Sequence, residues 1–204
     1  MTVLVVDYGL SNLGSIRRSL EKCGATVLVS DDPGRLQDAS LIVLPGVGSF
    51  SNGMDNLRKG GWVEALRETT MVAGIPLLGI CLGMQLLADR GHEGGDIPGL
   101  GILPGEVRRF EPRSHAERIP HVGWNEIYPS GKSLLFHGVP AGSDFYFVHS
   151  YHLVPKCGEH VIATTPYCGG FASAVGTGNI FGVQFHPEKS GRVGFHVLSN
   201  FLNQ

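Results

Sequence analysis

What this 204-residue sequence has little of narrows its function before any motif is read. An excess of one charge is missing: 16 Lys and Arg face 18 Asp and Glu, a net of −2, so nothing draws the chain as a whole to phosphate backbones or anionic lipid. The nine histidines are scattered and form no basic tract, and neither nucleic acid nor membrane is expected as a partner. Long apolar runs are also absent. No segment approaches the roughly eighteen apolar residues of a membrane span, and the start, MTVLVVDYG, has neither a basic leader nor a small-residue cleavage site. A soluble, cytoplasmic protein is expected. Cys23, Cys81, Cys157 and Cys168 lie far apart and make no C-x-x-C pair, which argues against a zinc site or a redox dithiol. No phosphate-binding glycine loop of the P-loop or dinucleotide kind is present, and no cofactor or metal is expected.

What is present is a well-filled α/β pattern. Hydrophobic residues make up 42% of the chain, enough for a packed core, and no repeat or low-complexity linker divides it, so residues 1–204 read as one domain. Strand-like runs at Thr2 to Val6, Thr26 to Val29, Leu41 to Leu44 and Ile75 to Ile80 alternate with helical patterns at Ser11 to Leu20, Trp62 to Val72 and Met84 to Ala88. Continuous rather than alternating apolar strands fit a sheet covered on both faces. After Gly91 the texture changes to shorter strand candidates at Val107 to Phe110, Phe145 to Val148, Val161 to Thr164 and Ile180 to Phe185. Residues Phe171 to Val175 and Ile180 flank a hairpin turn over Gly176 to Asn179, and Gly191 to Leu202 closes as a helix with Val193, Val197, Leu198 and Leu202 inward. The expected fold is an open, mostly parallel sheet with helices on both faces and a smaller antiparallel region in the C-terminal half.

One cysteine occupies a special place. In LLGICLGMQLL, Cys81 lies between a strand-like and a helix-like run, with Gly79 two residues before it and Gly83 two after. A sharp strand-to-helix turn lifts its central side chain out of the sheet, and the glycines remove the Cβ atoms that would collide there. The start of the helix near Leu82 favours thiolate through its dipole and free N–H groups, and the Leu82 N–H points toward a forming oxyanion. By itself this turn also suits a buried structural cysteine.

A base is available. GVQFHPEKS supplies His186 and, two residues on, Glu188, so that the carboxylate can hold one ring nitrogen while the other faces the cysteine. Pro187 restricts the backbone between them. Taken alone, His186 fits an ordinary loop and Glu188 a solvated helix start; together with Cys81 they make a Cys-His-Glu set. In LPGVGSF, after the third strand, Gly46 and Gly48 around Val47 allow an extended loop whose peptide N–H groups can turn inward as oxyanion donors.

GICLGMQ, PGVGSF and FHPEKS, in this order, resemble the class I, triad-type glutamine amidotransferases over nearly the whole chain. VDYGLSNLGSI, PHVGWN, FYFVHSYH and HPEKS are similar, more narrowly, to the glutaminase subunits of imidazole glycerol phosphate synthases. The resemblance implies that Cys81 attacks the carboxamide of L-glutamine, that His186 moves the proton and that Glu188 orients His186. It assigns the oxyanion to Leu82 and to a peptide within Gly46, Val47 and Gly48. Gln85, Ser150 and Tyr151 match glutamine-binding positions. Glu93 falls where the family often has an acid for the α-amino group, although ADRGHEGG departs from its usual acid-rich run.

The resemblance also implies a partner. Ammonia released into water is mostly ammonium, so the product has to pass through a protected path to a second site, and this chain has no room for one. A separate (β/α)₈-barrel cyclase subunit is implied, in a heterodimer, making imidazole glycerol phosphate and aminoimidazole carboxamide ribotide in histidine biosynthesis. Asn12, Trp124, Tyr146 and Lys189 match interface positions, with Trp124 open to a core-filling reading as well. Ser11 stands where the family often has glycine. Rival readings are the glutaminase component of another pathway such as anthranilate synthesis, a cysteine hydrolase of other small amides, and a non-catalytic binding module of the same fold.

Overall fold

The computed structural model describes residues 1–114, 117–131 and 133–204. Its first half follows the alternation of apolar runs. Strand β1 (Thr2–Val6) leads to helix α1 (Leu13–Lys22), then β2 (Thr26–Ser30), β3 (Leu41–Gly46), α2 (Phe50–Lys59), α3 (Trp62–Arg67), β4 (Leu77–Cys81) and the five-residue helix α4 (Leu82–Leu86). Two short strands follow, β5 (Arg90–Gly91) and β6 (Ile97–Pro98), and then β7 (Gly105–Arg109), β8 (His121–Pro129), β9 (Ser143–His149), β10 (Tyr151–Pro155), β11 (Val161–Thr165), β12 (Phe171–Thr177) and β13 (Ile180–Val183). Helix α5 (Gly191–Leu202) closes the fold.

Among the described residues, nine strands form one sheet in the order β2-β1-β3-β4-β13-β12-β11-β8-β9. Its first five are parallel and the remainder antiparallel, as the change of texture after Gly91 suggests. A second sheet, β10-β7-β5-β6, stands beside it. Alternate residues of β1 supply two separate cores: Val3 and Val5 pack with Ile16 and Leu20 of α1 and Val197 and Phe201 of α5, while Leu4 and Val6 pack with Met54 of α2, Trp62 of α3 and Leu86 of α4. Burial on both faces explains the uninterrupted apolar strands.

Several boundaries differ from the sequence expectation. Helix α2 follows directly on the PGVGSF loop, its N-terminus capped by Ser49, whose side chain accepts the Asn52 N–H. Its apolar face is narrow, Phe50, Met54 and Leu57, and Gly53 lowers its propensity yet lets Leu86 and Leu82 pack close against it. The helix expected to begin near Leu82 and continue to Ala88 does start at Leu82 but ends by Leu86, because the N–H groups of Leu100 to Leu103 take the carbonyls of Leu86, Leu87 and Ala88. The pattern over Trp62 to Val72 is helical, but its second half widens to a π turn at Glu68–Val72. The hairpin turn is shorter than Gly176 to Asn179: Thr177 pairs with Ile180, leaving Gly178 and Asn179, with Gly178 at φ +55°. In α5 the inward stripe is Gly194, Val197, Leu198, Phe201 and Leu202, with Val193 only partly covered.

Candidate active site

Cys81 ends β4 and precedes α4 with φ +54° and ψ −110°, a conformation rarely adopted by residues other than glycine, costing about 1–3 kcal/mol. The surrounding fold enforces it. A Cβ on Gly83 would collide with the Leu44 carbonyl of β3, and one on Gly79 would come within 2.7 Å of the Gly83 carbonyl oxygen. The two glycines therefore let α4 rise directly from the sheet. The thiol is buried beside β9, its Sγ 4.0 Å from the Val148 carbonyl oxygen, and it takes an N–H from Gln184 at 3.6 Å.

His186 and Glu188 follow β13, just beyond the strand that pairs in parallel with β4, so the topology brings them to the same end of the sheet as Cys81. His186 Nδ1 is 2.8 Å from Glu188 Oε1, and both side chains are buried. This holds a ring proton on Nδ1 and leaves Nε2, which has no hydrogen-bond partner among the described residues, as the nitrogen free to meet the thiol. Burial works against a charged ring here. The Cys81 sulfur, and after it the Glu188 carboxylate, outweigh that cost and hold the His186 pKa up to about 9. The loop is stitched to β9: His186 N–H donates to the Tyr146 carbonyl at 2.9 Å, and Tyr146 N–H donates to Ser190 Oγ at 3.1 Å.

An open cleft of about 370 Å³ lies over the thiol, and Val47, Gly48, Leu82, Gln85, Glu93, Ser150 and Tyr151 all border it. Three expected contacts take a specific form. Both amide N–H groups of Gln85 are committed, one to the Tyr151 carbonyl at 2.8 Å and one to Gln184 Oε1 at 2.9 Å, so this side chain meets the cleft as an acceptor. Glu93 Oε2 accepts the Phe50 N–H at 2.8 Å and so caps α2. In the PGVG loop, Gly46 is packed too closely for any Cβ, against the Tyr8 hydroxyl and Leu82, and Gly48 has φ +113°. The Val47 N–H donates to the Leu10 carbonyl at 2.8 Å and is thus already engaged.

The four positions matched to an interface border the same end of the sheet. Trp124 is 58% exposed and fills no core. It sits edge-on to Tyr146, its cross-strand partner, at 6.1 Å, and Lys189 Nζ lies 5.5 Å over the Tyr146 ring. Val122 and Val148, the next cross-strand pair, extend this exposed apolar face, and Asn12 is exposed at the start of α1. Gln184, His121 and His149 are additional buried polar residues near the cleft that motif reading passed over. Their signal is a polar side chain inside an apolar strand run, as in IFGVQF and FYFVH. Among the described residues, no group of three or more His, Cys, Asp or Glu could hold a metal ion, and no helix is long and apolar enough to cross a membrane.

A mixed α/β sheet whose parallel half, rather than the mostly parallel whole expected from the sequence, carries a cysteine on a strained strand-to-helix turn, beside a buried His–Glu pair, is the frame of a cysteine-dependent amidase. Comparison with known proteins narrows the class: residues 4–204 match the model of the class-I glutamine amidotransferases, and the chain belongs to that family. It is 49% identical over 199 residues to imidazole glycerol phosphate synthase subunit HisH of Moorella thermoacetica, covering 98% of this chain and 93% of the relative. Identity to subunit HisH 1 of Campylobacter jejuni (strain RM1221) is 44% over 201 residues, with 98% of each chain covered. Among solved structures, PurLQS from Thermotoga maritima shares the fold at a TM-score of 0.72 and 24% identity, covering 99% of this chain and 97% of that one. The chain is thus a glutamine amidotransferase with a glutaminase activity.

Proposed function

We propose that this chain is the glutaminase subunit of an imidazole glycerol phosphate synthase, one domain over residues 1–204 that hydrolyses L-glutamine and passes ammonia to a separate (β/α)₈-barrel cyclase. The observation that carries the chemistry is the placement of the Cys81 turn beside the His186–Glu188 pair. His186 Nε2 takes the thiol proton before attack, leaving an imidazolium stabilised by Glu188; Cys81 Sγ then attacks the side-chain carbonyl, and the imidazolium gives its proton to the leaving nitrogen. Ammonia departs and a γ-glutamyl thioester remains. Water, deprotonated by His186, attacks the thioester, and glutamate leaves as the sulfur regains its proton.

The tetrahedral oxyanion needs two donors. Leu82 N–H supplies one, and the second comes from the Gly46–Val47–Gly48 loop, where a donor of this kind is worth about 3 to 4 kcal/mol of transition-state stabilisation. With the Val47 N–H held by Leu10, that loop has to exchange partners before its Val47 peptide serves, which supports a resting enzyme of low activity. Gln85 as an acceptor, Glu93, and the Ser150–Tyr151 backbone would bind the amino-acid end of glutamine. The apolar face of Val122, Trp124, Tyr146 and Val148, with Asn12 and Lys189 beside it, supports docking of the cyclase next to the thiol, where ammonia is released. Four unpaired cysteines suit the reducing cytoplasm.

Glutamate release by the chain combined with the cyclase subunit tests the reading. Wild type is expected to release glutamate only with the partner and its phosphoribulosyl substrate present at full rate, and Cys81→Ala to release none. No glutamate from the wild-type complex would favour a binding module; activation by an anthranilate synthase component instead would reassign the pathway.

A further inference from the structure

Behind the exposed apolar face, the inward positions of β8 and β9 carry polar side chains in a hydrogen-bonded row. Asn125 Nδ2 meets His121 Nε2 at 3.1 Å, His121 Nδ1 meets His149 Nε2 at 3.1 Å, and His149 Nδ1 meets the Tyr151 carbonyl oxygen at 2.8 Å. The two ends determine every proton. The Tyr151 carbonyl only accepts, so His149 bears its proton on Nδ1 and accepts at Nε2. His121 then donates from Nδ1 and accepts at Nε2 from the amide of Asn125, whose Oδ1 already takes the Glu126 N–H at 2.9 Å.

The row is built to stay neutral and still. Burial pushes His149 down to about 3 and His121 to about 4, so neither ring charges in the working range of pH. His121 is stacked against Tyr167 at 3.9 Å and Phe147 at 4.8 Å, which prevents its ring from turning over. The Tyr151 carbonyl that ends the row is the one that receives Gln85, and Gln85 continues through Gln184 to the Cys81 sulfur. A continuous series of donors and acceptors therefore joins β8, two residues either side of Gly123, to the nucleophile.

We infer that His149 is a positioning residue for glutamine binding: its Nδ1–H holds the Tyr151 carbonyl, and through it the Gln85 amide, in the orientation that presents Gln85 Oε1 to the substrate, while His121 and Asn125 set its tautomer. This rests on the assignment of Gln85 and Ser150–Tyr151 to the glutamine wall. A ring that merely filled space would be replaced by any apolar side chain of similar size without effect on substrate affinity.

The test is the glutamine dependence of glutamate release by the full chain in complex with the cyclase subunit. His149→Leu is expected to raise KM about tenfold, the scale of one lost hydrogen bond, with kcat changed less than about threefold. His149→Asn, whose amide nitrogen stands in for Nδ1, is expected to return KM to within about threefold of wild type. Should His149→Leu not fold, His121→Phe keeps the stacking and removes the proton that sets the His149 tautomer; a KM rise of about threefold or more is expected there. An unchanged KM in the folded His149→Leu or His121→Phe complex, or equal impairment of His149→Leu and His149→Asn, overturns the inference. Gln85→Ala separates the two levels: if it leaves KM unaltered, the reading of the glutamine wall fails and this inference with it, whereas a raised KM there with none at His149 removes the inference alone.

Discussion

Exchanging Glu188 for Gln keeps the size and one acceptor of the carboxylate and removes its charge, which makes the energetics of the buried His186–Glu188 pair measurable as a function of pH. In the folded protein the ring is held at about 9 against 6.5 when free, so the native state favours the charged form. A group of this sign contributes its full stability below pH 6.5, loses it as pH rises through about 9, and contributes none above. The difference corresponds to about 3 kcal/mol. Cys81 raises the ring together with Glu188, so removing the carboxylate charge withdraws one of the two interactions that hold it up against burial. Urea unfolding between pH 6 and pH 10 is the assay. The stability of wild type is expected to fall across this window relative to Glu188→Gln, the gap between the two narrowing by a part of that difference of about 3 kcal/mol as His186 deprotonates. Two curves that run parallel from pH 6 to pH 10 would refute the claim that the carboxylate holds the imidazolium.

Further perturbations probe the turn, the face and the loop. Gly83→Ala places a methyl group against the Leu44 carbonyl, backbone against backbone, and is expected to cost about 3 kcal/mol or more, read as a lowered urea midpoint. Trp124→Ala removes an exposed ring that contributes nothing to the core, so stability is expected to stay within about 0.5 kcal/mol; if the proposed docking face is correct, affinity for the proposed cyclase subunit, measured by calorimetry, falls about thirtyfold or more. Tyr8→Phe deletes a buried hydroxyl that has no hydrogen-bond partner among the described residues, and is expected to leave stability unchanged or raise it by about 1 kcal/mol; a loss of that size would reveal a partner for the hydroxyl.

Much of the candidate site's geometry was legible because its residues lie in short, contiguous stretches. Cys81 with its two glycines, and His186 with Glu188, occupy turns whose residue types answer to one local geometry each. The central parallel strands were legible for a related reason, since burial on both faces leaves only apolar residues. Strand β8 was not read as a strand, because its pattern is inverted: His121 and Asn125 point inward while Val122, Trp124 and Tyr128 face outward, and alternation alone does not say which side is wet. Helix α2 was missed where Asn52 and Gly53 weaken its propensity and contact with α4 supplies the compensation. The length of α4 and the orientation of the Val47 peptide are set by segments distant in sequence, the return at Gly99 to Leu103 and the carbonyl of Leu10. Such bonds leave no local trace.

The attachment of the 186–190 loop to Tyr146 has a consequence outside catalysis. Strand β9 terminates the large sheet, and an outermost strand with idle amide and carbonyl groups invites a second molecule to add itself there. Here both main-chain groups of Tyr146 are already occupied by the loop that bears the imidazole. The segment that carries the His186–Glu188 pair thus also covers part of the rim of the sheet at Tyr146, and a variant that loosens it is expected to lose colloidal solubility.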